Sequence, residues 1–242
     1  MPFYDREDKI LTLLSSCEEM SLKELSKRLY ISLPTLRRDL IKLENKGLIQ
    51  RMHGKASFKK NSSDTEISFT LRTEEQSTAK NIIAKKASEH IKDGDVIMLD
   101  GSTSAYCMVP FLTKFKNLIV ITSGAKTSIL LAHYGITNIC TGGNMLNRCF
   151  SYVGIDALQS IENYNADVLF FSCRGISLDG KLTDNSIEEN LVRQQMIKHS
   201  KKRIFLCDSS KINKTYLNNL CNISDIDTII SENELPPELH NE

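Results

Sequence analysis

The feature that most constrains this chain is a series of short apolar runs: VIMLD (96–100), LIVIT (118–122), ITNIC (136–140), ADVLFFS (166–172), RIFLCD (203–208) and DTIIS (227–231). Each is separated from the next by a polar loop and a helical stretch. Runs of about five residues with no polar alternation suit strands buried on both faces, and the intervening helices supply the cover. The pattern predicts an α/β domain with a Rossmann-like parallel sheet, whose ligands sit beyond the carboxyl ends of the strands. No run approaches the ~18 apolar residues of a membrane span, and the charged start MPFYDREDK carries no export segment. Seven cysteines with no C-x-x-C pair argue against a disulfide framework and against a zinc knuckle. The expectation is a reduced, cytoplasmic protein with no membrane partner, no metal and no cofactor.

With 242 residues, the chain has room for a second, smaller domain. The periodicity changes near residue 60, and the polar segment KKNSSDTE (59–66) reads as a connector. The expected division is a head over 1–60, a linker over 61–72 and the α/β domain over 73–242. The net charge of +1 hides an asymmetry: residues 1–60 hold 13 Lys and Arg against 8 Asp and Glu, and the remainder holds 18 against 22. Residues 21–60 alone carry 11 basic and 3 acidic side chains, a local +8 that attracts a polyanion.

Within the head, Ile10, Leu11, Leu13 and Leu14 mark a short amphipathic helix, and Ser21-Leu22-Lys23-Glu24 is a capping box that opens a second. That helix turns Leu22, Leu25 and Leu29 inward and ends at Tyr30-Ile31-Ser32. Ser32 caps a third helix with Pro34 in its first turn, an apolar stripe of Leu36, Leu40 and Leu43, and Gly47 at its end. LIQRMH and ASF then flank Gly54-Lys55 as a hairpin. Three helices and a hairpin make a winged helix-turn-helix. Off the apolar stripe, Thr35, Arg37, Arg38, Lys42 and Asn45 present the hydroxyl, guanidinium, ammonium and amide groups that read base edges and bind phosphates. The plainer alternative is a solvated basic face, but the helix spacing, the capping box and the basic hairpin favour DNA.

Ser21 to Ala56 resembles the N-terminal domain of the DeoR family of bacterial transcriptional regulators, with TLRRDL as its core and R-x-H-G-x-A as its wing. The resemblance adds Arg51, His53 and Lys55 of the wing to the DNA-binding set. Lys55 stands where the family has a second glycine, so a positive φ there would be strained, while its charge could meet a phosphate.

In the α/β part, Thr73-Glu74-Glu75-Gln76 reads as a capping box opening a helix through Ile82, Ile83, Ala87 and Ile91 to Asp93-Gly94. Polar loops then gather after the strands: Asp100-Gly101-Ser102-Thr103-Ser104, Thr122-Ser123-Gly124-Ala125-Lys126, Thr141-Gly142-Gly143-Asn144 and Asp208-Ser209-Ser210-Lys211. Any one of them alone reads as a tight turn and a helix cap. Four at equivalent strand ends fit a shared anionic ligand held by free N–H groups, hydroxyls, Lys126 and Lys211.

These loops, with Ser151 to Gly154, resemble the C-terminal sensor domain of the same family. The resemblance implies a fold similar to ribose-5-phosphate isomerase and a phosphorylated sugar as effector, bound by Asp100, Gly101, Ser102, Thr103, Ser104, Ser123, Lys126, Gly142, Gly143 and Lys211. Ser102 replaces a frequent glycine and Ser104 a threonine, and Pro110 should kink the helix after the first loop. Glu189 reads as the partner of Ser186 in a capping box, while His90, His133 and His199 lack metal spacing. The expected function is a transcriptional regulator of carbohydrate genes, a repressor by resemblance and not an enzyme, binding operator DNA as a homo-oligomer. Two alternatives stay open: a sugar-phosphate isomerase using Asp179, Asp184, Glu188 and Lys211, and an architectural DNA-binding protein.

Overall fold

Helix formation in the head follows the apolar spacing. In the computed structural model, which describes residues 3–15, 17, 19–45, 48–58 and 69–239, α1 (Phe3–Ser15) precedes a short strand β1 (Met20–Ser21). Helix α2 (Leu22–Leu29) starts at Ser21, whose hydroxyl accepts the Glu24 backbone N–H at 3.2 Å. Only half of the capping box forms, because the Glu24 carboxylate turns to Arg28 at 2.7 Å. Helix α3 (Leu33–Asn45) begins with Thr35 N–H on the Ser32 hydroxyl at 3.4 Å. Strands β2 (Ile49–Met52) and β3 (Lys55–Phe58) form an antiparallel hairpin, with β1 on the other side of β3. Ile10, Leu11, Leu14, Leu25, Leu36, Leu40, Leu43 and Ile49 pack into one core, each such burial stabilising by roughly 1.5–3 kcal/mol. Gly54 takes the positive φ of the hairpin turn, at 72°, and Lys55 is already in the strand without strain.

Two compact units divide at Glu75 and Gln76. Residues 69–72, expected in a linker, are helical: α4 (Phe69–Glu74) packs on α1 in the first unit. Gly47 and residues 61–68 lie outside the described residues. The capping box expected at Thr73 is not one, since the chain is already helical there. Thr73 bonds back to the Phe69 carbonyl at 2.9 Å, and the next helix, α5 (Ser77–Ala87), starts only after Gln76 turns the chain at φ 54°.

The second unit holds β4 (Val96–Leu99), α6 (Thr103–Tyr106), β5 (Ile119–Thr122), α7 (Ala125–His133), β6 (Thr137–Cys140), β7 (Asn144–Leu146), β8 (Ser151–Val153) and α8 (Ile155–Glu162). These are followed by β9 (Ala166–Phe171), β10 (Gly175–Ile176), β11 (Lys181–Asp184), α9 (Ile187–Lys198), β12 (Ser200–Leu206), β13 (Asn218–Asn222) and β14 (Thr228–Ile230). All six expected strands join one parallel sheet in the order β14-β12-β9-β4-β5-β6. Successive residues feed opposite cores. Ile97, Leu99, Val168, Phe170, Ile204 and Leu206 face one side, and Met98, Leu169, Phe171 and Phe205 the other. Both faces are thus buried, as unbroken apolar runs require. The helix expected through Pro110 stops at Tyr106, and Pro110 sits in a single turn of tighter helix, Val109–Leu112, where its missing N–H costs nothing.

Two antiparallel additions were not expected: the pair β7–β8 and the small sheet β10-β11-β13. Helix α9 closes the outer edge of β13 with side-chain amides. Asn190 donates to the Asn218 and Asn219 carbonyls at 3.3 Å each, and Gln194 to the Leu220 carbonyl at 2.9 Å.

Candidate functional site

The head presents α3 with its apolar stripe inward. Arg37, Arg38 and Lys42 are exposed beside the half-buried Thr35, whose hydroxyl meets that of Ser32 at 2.9 Å. Asp39, between them in sequence, is buried instead and holds α1 through Arg6, at 2.7 and 3.3 Å. In the wing, His53 is exposed at the turn, but Arg51 and Lys55 are engaged. Arg51 binds Glu44 at the end of α3, Nε to Oε2 at 2.7 Å, and Lys55 pairs with Glu19. The Arg51 guanidinium holds the Glu44 carboxyl below its ordinary value. The wing is therefore pinned to the third helix by an ion pair that nothing in the sequence spacing announces.

In the second unit the sheet reverses its winding between β4 and β9, the point at which open α/β sheets form a ligand crevice. Asp100 leaves β4 at that point and is buried. Its Oδ1 accepts the Ser102 N–H at 3.2 Å and hydroxyl at 2.5 Å, and its Oδ2 accepts the Ser172 N–H at 3.3 Å and Arg193 Nε at 2.9 Å. Both carboxylate oxygens are thus committed to the protein. Ser102 lies at φ −76°, where a glycine is not needed, and caps α6 through the Ala105 N–H. Gly101 is the position where only glycine fits, because a Cβ there would stand 1.8 Å from the Ser151 hydroxyl.

Arg193 of α9 lies under this loop with its side chain 5% exposed. It meets Asp100 at 2.9 Å, Asp184 at 3.0 Å and Glu189 at 3.5 Å. Burial opposes the guanidinium charge, but Asp184, Glu189 and Asp100 together raise its pKa above the ordinary value. Burial likewise pushes Asp184 up, and the charges of Arg193 and Arg174 with the Asn185 and Ser186 N–H groups reverse that, so its pKa falls below the usual carboxylate value. Glu189 does not complete the expected capping box. Ser186 accepts the Glu189 N–H at 3.2 Å, while the Glu189 carboxylate accepts the Ser151 hydroxyl at 3.3 Å.

A small cavity gathers Asp100, Gly101 and Ser123 with Ser151, Tyr152, Glu189 and Arg193. Thr103 and Ser104 are buried on α6, which packs on α7, and the hydroxyls of Ser104 and of Thr127 on α7 are buried with no hydrogen-bond partner. A buried hydroxyl left so costs about 1–3 kcal/mol. Lys126 Nζ lies over the Phe150 ring at 4.1 Å and does not line the cavity. Gly142 and Gly143 turn with φ of 67° and 104°, and Gly143 packs against Val153 and Ala157. Lys211 binds the Ser172 hydroxyl and lies 3.6 Å from Asp208. Burial alone would raise the Asp208 pKa, but Lys211 and the Ser210 hydroxyl bring it below its ordinary value. Sequence reasoning named Ser151 only within the Ser151–Gly154 resemblance and missed Thr127 and Arg193; of the Arg193 partners, Glu189 and Asn190 lie within about one helical turn, while Asp184 and Asp100 are 9 and 93 positions away. Of the carboxylates of the enzyme alternative, Asp179 is exposed and paired with Lys181 at 2.8 Å, Asp184 is engaged in the Arg193 cluster, and Glu188 is exposed on α9 and accepts the Ser186 hydroxyl at 3.1 Å. Among the described residues there is no cluster of side chains fit for a metal, and no helix long and apolar enough to cross a membrane.

Comparison with known proteins matches residues 6–62 to the DeoR-like helix-turn-helix domain and residues 75–233 to the DeoR C-terminal sensor domain. The HTH-type transcriptional regulator GolR of Listeria innocua is 33% identical over 98% of this chain and 93% of its own length. The L-fucose operon activator of Haemophilus influenzae is 31% identical over 97% and 94%, and the lactose phosphotransferase system repressor of Staphylococcus epidermidis 29% identical over 95% and 92%. Among solved structures, ribose 5-phosphate isomerase A from Methanocaldococcus jannaschii covers 57% of this chain and 55% of its own at 17% identity and a TM-score of 0.44.

Proposed function

The chain belongs to the DeoR family of transcriptional regulators, and on that premise we propose that a phosphorylated sugar bound at the strand ends of its second unit controls the affinity of its winged head for operator DNA. The observation that carries the effector reading is the loop Asp100–Ser104 at the winding reversal, with the unpartnered hydroxyls of Ser104 and Thr127 buried beside it. A phosphate oxygen or sugar hydroxyl would satisfy them. Gly101, Ser102, Thr103 and Ser123 complete the loop ends, and Lys211, joined to Asp100 through Ser172, supplies the positive charge. With both Asp100 oxygens committed, its role is to hold loop and Arg193 in place, and sugar contact follows only if the effector displaces one of those bonds. Lys126, Gly142 and Gly143 stay in the effector set by strand-end position and family resemblance alone, since none of them lines the small cavity.

The protein acts as a repressor of sugar-utilisation genes, as the name of the staphylococcal relative suggests, in the cytoplasm and as a homo-oligomer. It performs no turnover, a reading supported by the engagement of Asp179 with Lys181 and of Asp184 with Arg193. On DNA, Thr35, Arg37, Arg38 and Lys42 face the major groove, and Arg51, His53 and Lys55 of the wing reach the flanking backbone once phosphates displace Glu44 from Arg51 and Glu19 from Lys55. Effector binding matters only through a difference in affinity between two states of the protein. The test is a thermal-shift screen of phosphorylated sugars against the full chain, followed by titration of the operator complex with any hit. A sugar phosphate that raises the melting temperature and changes operator affinity is the expected result. Stabilisation by none of them, or substrate conversion in the same mixtures, would overturn the reading.

A further inference from the structure

Between α2 and α3, Tyr30 adopts φ 54°, ψ 42°, the left-handed conformation that helix ends ordinarily give to glycine or asparagine. The turn imposes it. Tyr30 N–H bonds to the Lys27 carbonyl at 3.4 Å, Ile31 N–H to the Ser26 carbonyl at 3.2 Å, and the Ser26 hydroxyl donates to the Ile31 carbonyl at 2.5 Å. The side chain gives the fold nothing in return, since Tyr30 is 95% exposed. A bulky aromatic at a strained position with no packing partner is a cost to the folded head, and such costs gather where a residue serves a ligand.

The surroundings identify the ligand class. Tyr30 stands two residues before Ser32, which opens α3, and exposed Lys27, Arg28, Arg37 and Arg38 lie on the helices it joins. In a helix-turn-helix the first turn of the third helix enters the major groove while the second helix crosses the backbone, so the turn between them meets the rim of the groove. We propose that Tyr30 is a DNA-backbone contact: its ring covers a deoxyribose and its phenol donates to a phosphate oxygen, fixing the register of the head without reading sequence. This rests on the reading of α3 as the recognition helix.

The test uses the full chain and a labelled mixed-sequence duplex of about 30 base pairs, since a backbone contact is independent of sequence. Tyr30→Phe, which keeps the ring, should weaken binding roughly 3- to 10-fold, and Tyr30→Asn, which removes ring and strain together, on the order of tenfold or more. Both should melt no lower than wild type. Because the phenol is uncharged, neither should change the slope of affinity against salt, whereas the control Arg37→Ala/Arg38→Ala should flatten it. If both Tyr30 variants bind as wild type while the arginine control loses binding, the Tyr30 proposal fails and the recognition-helix reading stands. Wild-type binding by the arginine control would defeat that reading, and the proposal with it. Unchanged DNA affinity with altered sedimentation would make Tyr30 a protein contact and overturn the proposal equally.

Discussion

Replacing Arg193 with Met leaves Asp100, Asp184 and Glu189 buried around an apolar side chain. In the wild type their oxygens lie 2.9, 3.0 and 3.5 Å from the guanidinium, whose side chain is 5% exposed, so solvent screens little. Removing one partner of a buried ion pair costs about 3–5 kcal/mol, mostly because the remaining charge is left without compensation. For a unit of this size that is a loss of roughly 6–20 °C in melting temperature. The pH dependence has a definite sign. Asp184 titrates below its unfolded value in the native protein, so its contribution is present above that value and disappears as the pH falls through the folded one. In the variant only burial and the weaker partners act on Asp184, favouring its protonated form. The gap in melting temperature should therefore be widest near neutral pH and narrow as the pH is lowered toward 4. Calorimetry of both proteins across that range measures it. A variant melting within about 2 °C of wild type at neutral pH, or a gap that widens in acid, would refute the argument.

Arg38→Ala should weaken operator binding by about 1–3 kcal/mol if it reads a base or reduce the salt slope by about 1 if it holds a phosphate, and fluorescence anisotropy at several salt concentrations separates the two. Thr103→Val should leave effector-free operator affinity unchanged and move the effector midpoint to higher concentration, by a lost charge-assisted bond of roughly 1.5–3 kcal/mol; a wild-type midpoint in the same titration would contradict it. Gly101→Ala should blunt the effector response by driving a methyl into Ser151, and Ser151→Gly in the same chain should restore it, as read by effector titration. A fragment beginning at Gln76 should remain folded and oligomeric in sedimentation, and a monomer there would remove the second unit as the site of assembly.

The parallel sheet was legible because VIML, IVIT and ADVLFF need burial on both faces, and no other arrangement offers it to so many short runs. Boundaries shifted where a backbone bond outweighed a side-chain signal. Thr73 had the right spacing for a cap but sits inside a helix, and Gln76, with no glycine to announce it, turns the chain. The antiparallel additions went unseen because β7, β8 and β10 span two or three residues each, too short for a period to register, and because β11 (KLTD) and β13 (NNLCN) are mostly polar and form no apolar run. The loop Asp100–Ser104 was legible as a strand end rich in hydroxyls. That its carboxylate would be spent on Arg193, and that Glu189 would turn from its expected cap toward Ser151, depends on contacts far apart in sequence, which spacing cannot encode.

Helix α9 holds four things at once: Asp100 through Arg193, Ser151 through Glu189, and two stretches of the β13 edge through Asn190 and Gln194. A body attached at so many points does not fray piecemeal. Its opening uncovers the β13 carbonyls, and with them the edge of that strand, and frees the first strand-end loop in the same event, so the three segments form one cooperative unit of local unfolding. In native-state hydrogen exchange they should share one opening free energy and rise in protection together when a ligand is seated at that loop, even though β13 lies outside the cavity lining. The small sheet then serves as a remote gauge of occupancy, readable amide by amide without any change in the shape of the protein.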